Sequence, residues 1–332
     1  MISIIIPIYN EEKYIAACLD SVLSCDYTHE AMEVLLIDGM STDRTREIVA
    51  EYQQQYTSIR LINNPQKIVP VAMNIGIKQA KGDYIIRLDA HASYPKNYFS
   101  KLIAWHQKLD ADNVGGVVKT EVIRPSPKAN AIKRVLSHPL GVGNSDFRVG
   151  VDEVKEVDTV PFGCYPKKVF EKYGYYDERL VRNQDIEFNK RIINGGGKIY
   201  LVPDVSCIYY ARENFKDLAK NNFANGYWNI LTAFYTGTFR SLSLRHFIPL
   251  LFILSLIVPL FVACWYPSFI WMSVFSLVSY LSLVIMVSLR LKNKTDNFWY
   301  LFISFLILHF SYGIGSLVAL GKLASMKMKG IM

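Results

Sequence analysis

The chain has 332 residues, of which 51% are apolar and 20% are charged, and its formal net charge is +8. This composition excludes an intrinsically disordered chain. Six of the seven charged residues that follow His246 are basic, so positive charge is concentrated in an apolar C-terminal region. A basic, apolar end favours a membrane surface, whereas nucleic acid would require a basic stripe on a folded domain. The sequence therefore excludes a plain soluble protein and predicts no nucleic-acid partner.

The cysteines and the N-terminus indicate the compartment. The five cysteines are odd in number and show no CxxC spacing, which argues against a disulfide framework or a zinc ribbon. The segment from Met1 to Pro7 has no basic region and too short an apolar run for a signal peptide. We therefore expect reduced thiols and a cytosolic N-terminal part.

Residues 1–120 alternate short apolar runs with amphipathic segments. The apolar runs predict strands at Ile2–Ile6, Glu33–Ile37, Ile59–Ile62, Tyr84–Leu88 and Val114–Val118. The amphipathic segments predict helices near 12–24, 43–56, 69–80 and 95–107. Such alternation is typical of a mostly parallel, Rossmann-like α/β sheet, whose ligands bind at the carboxyl ends of the strands. Polar clusters stand at three of those ends, at 7–11, 38–43 and 89–91.

The pattern changes after residue 125. Prolines and glycines interrupt 125–158 and predict a mobile loop. Helices are predicted at 166–173 and 185–194, and short strands near 198–209. Apolar residues then recur at helical spacing from Phe215 to Phe234, so this helix either lies in the membrane interface or packs on its own domain.

Three uncharged apolar runs fill the last quarter of the chain, and each is long enough to cross a hydrocarbon core of about 30 Å. They are Phe247–Tyr266, Phe269–Leu289 and Phe298–Leu320. The domains we expect are therefore an N-terminal α/β domain at 1–212, a juxtamembrane helix region at 213–245, a transmembrane region at 246–321 and a basic tail at 322–332.

Basic flanks predict the orientation of these spans. Arg240 and Arg245 precede the first span, and Arg290, Lys292 and Lys294 lie between the second and third. The positive-inside rule then places the N-terminal domain in the cytoplasm of a multi-pass inner (plasma) membrane protein. Three full crossings would put Lys322, Lys327 and Lys329 outside, against the rule. Either the third run does not fully cross or the tail is an exception.

Glycine patterns disfavour two common classes of nucleotide-binding protein. No GxGxxG follows the first strand, which disfavours a dehydrogenase. The run Gly195-Gly196-Gly197-Lys198 lacks the preceding glycine of a P-loop, which disfavours a P-loop NTPase.

Several acidic residues have two interpretations. Asp38 precedes a turn-forming glycine, and Asp185 can cap the helix that follows it, so ordinary local chemistry would explain both. Asp89-Ala90-His91 is harder to explain locally. An acid and a histidine two residues apart in an extended segment can offer one oxygen and one nitrogen to a divalent cation.

The ordered set of motifs resembles family 2 glycosyltransferases of the GT-A fold over residues 1–235. The matching segments are Pro7–Glu11, Ile37–Thr45, Ala72–Gly76, Gly82–Ile85, Leu88–His91 and Asn183–Asp185. With the C-terminal spans, the chain is most similar to the succinoglycan-type enzymes of bacterial exopolysaccharide synthesis.

The resemblance implies a role for each matching residue. Residues of the donor nucleotide site would be Pro7, Tyr9, Glu11, Asp38, Asp89 and Ala90. Asp89 and His91 match the metal-binding DXD motif, so the expected cofactor is Mn²⁺ or Mg²⁺. Asp185 matches the catalytic base of the family's "ED" pair.

Three positions depart from the family pattern, and the chain has no clear match to the motif of processive polymerases. Gly39 stands where a second acid is common, His91 replaces the second DXD acid, and Gln184 replaces the glutamate of the ED pair. No clear QxxRW motif follows, so a processive polymerase is disfavoured.

The resemblance predicts an inverting, metal-dependent glycosyltransferase that moves a sugar from a nucleotide-diphosphate donor, expected to be a UDP-sugar, to a lipid-linked acceptor. One alternative is transfer to polyisoprenyl phosphate, as in enzymes similar to dolichyl-phosphate-mannose synthase. Its attacking oxygen is already anionic, so Asp185 would matter less. The other alternative is a non-catalytic membrane scaffold.

Overall fold

A computed structural model of the chain describes residues 1–143, 145–237, 244–293 and 297–328. Arg240, Lys294 and Lys329, on which the predicted orientation partly depends, lie outside the described residues. The chain divides into two compact units. The first comprises Met1–Thr120 and Asp146–Tyr210, and the second comprises Glu121–Ser145 and Ala211–Met332.

The first unit is built on a nine-stranded mixed sheet. Its strands are β1 (Ile2–Ile8), β2 (Met32–Asp38), β3 (Ile59–Asn63), β4 (Tyr84–Arg87), β5 (Ala92–Ser93), β6 (Asn113–Glu121), β7 (Lys155–Glu156), β8 (Cys164–Pro166) and β9 (Ile199–Tyr210). The strand order is β3-β2-β1-β4-β8-β6-β9-β5, with β7 paired to β9. The first four strands in this order are parallel, and β8, β5 and β7 join by antiparallel pairing.

Helices alternate with these strands, as the sequence predicts for 1–120. They are α1 (Ile15–Leu23), α2 (Thr45–Gln55), α3 (Val69–Gln79), α4 (Tyr98–Leu109), α5 (Pro127–Val135), α6 (Pro139–Val142), α7 (Asp146–Val149), α8 (Lys168–Tyr173), α9 (Gln184–Asn194), α10 (Phe215–Tyr235), α11 (Ile248–Val262), α12 (Ile270–Leu291) and α13 (Phe298–Met328).

Strand β1 shows why this sheet forms from this sequence. Its apolar side chains are buried on both faces because a parallel sheet carries helices on each side. Pro7 lacks a backbone N–H, yet its pairing with Ile37 continues on the β2 side. Pairing with β4 ends at Ile5 and Arg87, so the missing donor removes no bond from that ladder.

The prediction of a mobile loop at 125–158 is wrong, because much of this segment forms α5, α6, α7 and β7. Ser126 caps α5, and its side chain accepts a hydrogen bond from the Ala129 N–H. Pro127 and Pro139 stand at the first turns of α5 and α6, where a proline costs no hydrogen bond. These residues are start signals for short helices rather than markers of an irregular loop.

In the second unit, the three C-terminal helical segments are long and apolar enough to cross a membrane. They cover Leu244–Val262, Pro267–Leu291 and Phe298–Lys327. Most of the first two segments is not buried within the protein, and many of their large apolar side chains are exposed. Exposed apolar surface of this extent is expected to face lipid.

Helix α10 packs along α13, within the same unit, and the apolar pattern predicted only part of its buried surface. Leu218, Ile230 and Leu231 are buried as large apolar members of that pattern, whereas Phe234 is exposed. Asn222, Gly226 and Asn229, which the pattern did not include, are buried too. A Cβ on Gly226 would collide with the Tyr312 carbonyl. The two helix backbones therefore meet closely at small residues, as is usual between membrane helices.

Candidate active site

Two loops at the carboxyl ends of β1 and β2 hold each other in place. The Asn10 N–H donates to Ser41 Oγ at 2.9 Å, and the Thr42 N–H donates to Asn10 Oδ1 at 2.8 Å. Asn10 and Met40 adopt left-handed backbone angles, with φ of 55° and 61°. Asparagine tolerates this conformation well, so the bonded loops form a preset edge beside the sheet.

Asp38 ends β2 and is fully buried. Its carboxylate accepts from the Ser41 N–H at 3.1 Å and from Ser41 Oγ at 2.6 Å, and it forms an ion pair with Arg46. The same guanidinium donates to Asn63 Oδ1 at 3.0 Å. A buried carboxylate with these partners is a fixed anchor of the loop. Its contact with a nucleobase remains a prediction.

Tyr9 presents an aromatic face at this edge. The residue is 46% exposed, and Lys67 Nζ lies 5.6 Å from the ring centroid. A Cβ on Gly39 would lie 3.2 Å from Tyr9 Cδ2, so any larger residue at position 39 would press on the ring. This contact gives a physical reason for glycine where the family often has an acid. The exposed ring is suited to stacking on a base.

Glu11 and His91 are brought together from different strand ends. His91 Nε2 lies 3.1 Å from Glu11 Oε2, and the His91 ring packs against Tyr14 with centroids 4.6 Å apart. The His91 carbonyl accepts from the Tyr210 N–H at 3.0 Å. The imidazole nitrogen that the sequence assigns to a metal thus already faces a carboxylate, a pairing that sequence reasoning missed.

Asp89 is held through its backbone. Its N–H donates to Tyr94 Oη at 3.0 Å, and the Tyr94 hydroxyl lies 3.2 Å from the Asp89 carbonyl. The Asp89 side chain is 34% exposed. Ala90 is buried in the apolar core, so it can contribute to a ligand only through its main chain.

Arg87 links two of the predicted acids, and sequence reasoning missed it. Its guanidinium donates to Asp185 Oδ2 at 3.0 Å and lies 3.7 Å from Asp89 Oδ1. Burial lowers the pKa of Arg87, but the two carboxylates raise it more, so the net shift is upward. An arginine in an otherwise apolar strand, two residues before Asp89 and therefore on the same side, was the signal that could have revealed it.

Asp185 lies in the first turn of α9, and its side chain is 32% exposed. Asn183 precedes the helix with a φ of 63°, which sets the chain direction into α9. Asp185 Oδ1 accepts from the Ile186 N–H at 2.9 Å, and Oδ2 accepts from Arg87. The structure therefore brings Asp185 and Asp89 to one guanidinium.

Within the described ranges, no three His, Cys, Asp or Glu side chains form a group that could hold a metal ion. Asp89 offers a partly exposed carboxylate at the strand end, which suits Mg²⁺ or Mn²⁺ as a single protein ligand. A cation here would need phosphate oxygens and water to complete its coordination.

The chain is similar in sequence to proteins of one enzyme family. Residues 3–174 match the family model described as glycosyl transferase family 2. The chain is 33% identical over 254 residues to the dolichyl N-acetyl-alpha-D-glucosaminyl phosphate 3-beta-D-2,3-diacetamido-2,3-dideoxy-beta-D-glucuronosyltransferase of Methanococcus voltae, covering 71% of this chain and 78% of the relative. It is 30% identical over 225 residues to the succinoglycan biosynthesis protein ExoA of Rhizobium meliloti, covering 67% of this chain and 67% of the relative.

Solved structures share the fold. The mannosyltransferase PcManGT from Pyrobaculum calidifontis, in complex with GDP-Man and Mn²⁺, matches with a TM-score of 0.61 and 14% identity over 95% of this chain and 86% of its own. S. aureus TarS 1-349 in complex with UDP-GlcNAc matches with a TM-score of 0.54 and 17% identity over 99% of this chain and 92% of its own. The predicted α/β fold of the GT-A type is confirmed.

Proposed function

Because the chain belongs to glycosyl transferase family 2 and is a glycosyltransferase acting on nucleotide sugars, we propose that it transfers one sugar, with inversion, to a lipid-linked acceptor at the cytoplasmic face of a membrane. The observation that carries this proposal is the Arg87 bridge, which joins Asp185 at 3.0 Å to Asp89 at 3.7 Å. It holds a candidate base beside a candidate donor-binding acid.

Asp185 is the base in this proposal. Its carboxylate takes the proton of the acceptor hydroxyl while that oxygen attacks the anomeric carbon. The bond to the nucleoside diphosphate breaks as the acceptor oxygen forms its bond from the opposite side, and this single in-line displacement inverts the configuration at that carbon. Arg87 fixes the orientation of the Asp185 carboxylate, and the partial exposure of that carboxylate leaves it open to an acceptor.

The donor nucleotide lies along the edge made by the loops after β1 and β2. The exposed Tyr9 ring stacks on the base, Pro7 and Glu11 line the pocket, and Asp38 sets the edge. The UDP-GlcNAc complex of TarS supports a nucleotide-sugar donor, and a UDP-sugar is our first choice.

Asp89 would hold a divalent cation that also binds the donor diphosphate, and the Mn²⁺ in PcManGT supports such a cation. When bound, the cation neutralises charge that develops on the leaving diphosphate. His91 would be the second protein ligand once its ring has left Glu11. While the two side chains stay paired, His91 orders the loop through Glu11.

The acceptor is lipid-linked, because the name of the Methanococcus voltae relative includes a dolichyl phosphate sugar. The helices of 246–321 then hold the enzyme at the bilayer that carries this acceptor, as a multi-pass protein with its catalytic domain in the cytoplasm. In this proposal the catalytic domain is 1–212, the juxtamembrane region is 213–245 and the basic tail is 322–332.

A donor panel tests the function. Solubilised protein is supplied with UDP-, GDP- and dTDP-sugars, native lipid extract, and Mn²⁺, Mg²⁺ or EDTA, and release of nucleoside diphosphate is measured. We expect release from one donor only, dependent on the cation and lost in Asp89→Asn. Equal release in EDTA, or from the Asp89→Asn variant, would contradict the metal assignment.

A further inference from the structure

Arg148 is a cation without an acidic partner. Its guanidinium lies 5.6 Å from the centroid of the Phe147 ring and 5.5 Å from that of Tyr209. Within the described part of the chain, it has no hydrogen bond or ion pair. Asp146, the acid on the same short helix, is occupied by Lys155 Nζ at 2.9 Å.

This arrangement is unfavourable for the protein alone. Burial lowers the pKa of Arg148 from its ordinary value. Arg148 is half-buried, and a partly desolvated charge without a counter-ion costs free energy, whereas charges removed from water in folded proteins are usually paired. Ring contacts offset only part of that cost. A bound anion would remove it.

Arg148 lies beside the candidate active site of the first unit. Tyr209, on which it packs, pairs with Ala92, and the next residue, Tyr210, donates its N–H to the His91 carbonyl. The Cys207 thiol lies in electrostatic range of both groups: burial raises its pKa, to about 12, with Asp89 adding to the rise and Arg148 opposing it. Arg148 is thus close to the Asp89 strand end.

Two arginines of the candidate active site are already neutralised. Arg46 pairs with buried Asp38, and Arg87 pairs with Asp185 and Asp89. The substrates of a glycosyltransferase bring further negative charge, in the donor diphosphate and in the phosphate that joins a sugar to its lipid. Unlike these two arginines, Arg148 has no acidic partner among the described residues, so it can receive this charge.

We propose that the Arg148 guanidinium binds a phosphate group of a substrate, an inference that rests on the proposed function. Its planar fork matches two phosphate oxygens, and charge-assisted bonds of this kind are among the stronger ones in proteins. The phosphate belongs either to the donor diphosphate or to the acceptor lipid, and binding experiments distinguish the two.

The test measures binding to Arg148→Gln, Arg148→Lys and wild type in EDTA, so that no divalent cation contributes. One arm titrates UDP and GDP, and the other titrates undecaprenyl phosphate in detergent micelles. We expect Arg148→Gln to weaken one of these ligands by about tenfold or more, with a smaller loss in Arg148→Lys, which keeps the charge. Weaker nucleotide identifies the donor, and weaker lipid phosphate identifies the acceptor.

Thermal unfolding separates binding from structure. Arg148→Gln removes two ring contacts but also an unpaired charge, so without ligand it should unfold within about 2 °C of wild type. Unchanged affinity for both ligands would overturn the phosphate site, whether or not the Tm falls. Wild type that binds neither ligand, even when Mn²⁺ replaces EDTA, would instead contradict the proposed function itself. Arg44→Gln, at an exposed arginine, is the matched control.

Discussion

Replacing Arg87 by methionine removes the guanidinium and keeps an apolar side chain of similar length. Two contacts are lost, the 3.0 Å hydrogen bond to Asp185 and the 3.7 Å ion pair with Asp89. A hydrogen bond to a charged group contributes about 1.5–3 kcal/mol. Both carboxylates are about one-third exposed, so water screens them and the lower part of this range applies.

We therefore expect Arg87→Met to lower the free energy of unfolding by about 1.5–2 kcal/mol. For a domain of this size that corresponds to a fall in Tm of about 3–8 °C. Because Asp185 also loses the group that orients it, kcat should fall by about tenfold or more. Arg87→Lys keeps a positive charge and should recover part of both losses.

The assays are thermal unfolding of the solubilised protein and nucleoside diphosphate release at saturating donor. Arg44→Met is the matched control because Arg44 pairs with Glu47 at 3.3 Å and both side chains are 70% exposed. An exposed pair contributes about 0.5 kcal/mol or less, so the control should lose no more than about 2 °C. If Arg87→Met lost no more Tm than the control and kept its kcat, the assigned role of the bridge would be refuted.

Three further predictions concern the rest of the fold. Gly226→Leu should destabilise the helix pair by about 1–3 kcal/mol by collision with Tyr312, whereas Gly321→Leu, with open space around it, should not; thermal unfolding in detergent compares them. Burial lowers the pKa of His106 below its ordinary 6.5, so the unfolded chain binds a proton more readily than the folded one, and stability should fall as pH drops through 6.5. His106→Gln should make the free energy of unfolding less dependent on pH, as measured by urea titrations at pH 8 and 5.5. Cys264 is exposed in the short turn between two apolar helices, so an impermeant maleimide should label it from outside intact cells. The Cys264→Ser variant should not be labelled. Labelling only in broken cells would show that the orientation is opposite to the one proposed.

The parallel half of the sheet was predictable because its strands are buried on both faces. The runs at Ile2–Ile6 and Glu33–Ile37 differ from β1 and β2 by only a few residues at their ends. Such strands are written as continuous apolar segments, so their sequences identify them directly. The three long apolar helices were predictable for the same reason, since length and composition are sufficient.

Pairings between distant residues could not be predicted. Nothing local connects Glu11 with His91, or Arg87 with Asp185, because only the folded sheet brings these residues together. The small and polar part of the buried face of α10 was missed for a different reason. Helices that pack closely use small and polar residues, whereas the apolar pattern emphasises large ones.

The central claim is that Asp185 acts as the base of transfer to a lipid-linked acceptor. The direct measurement is transfer of labelled sugar from the nucleotide donor into extracted lipid, comparing wild type with Asp185→Asn and determining the anomeric configuration of the product. We predict an inverted linkage in wild type and a loss of about 100-fold or more in Asp185→Asn, with nucleotide binding retained. Transfer by Asp185→Asn at the wild-type rate, or a product that retains the donor configuration, would contradict the account.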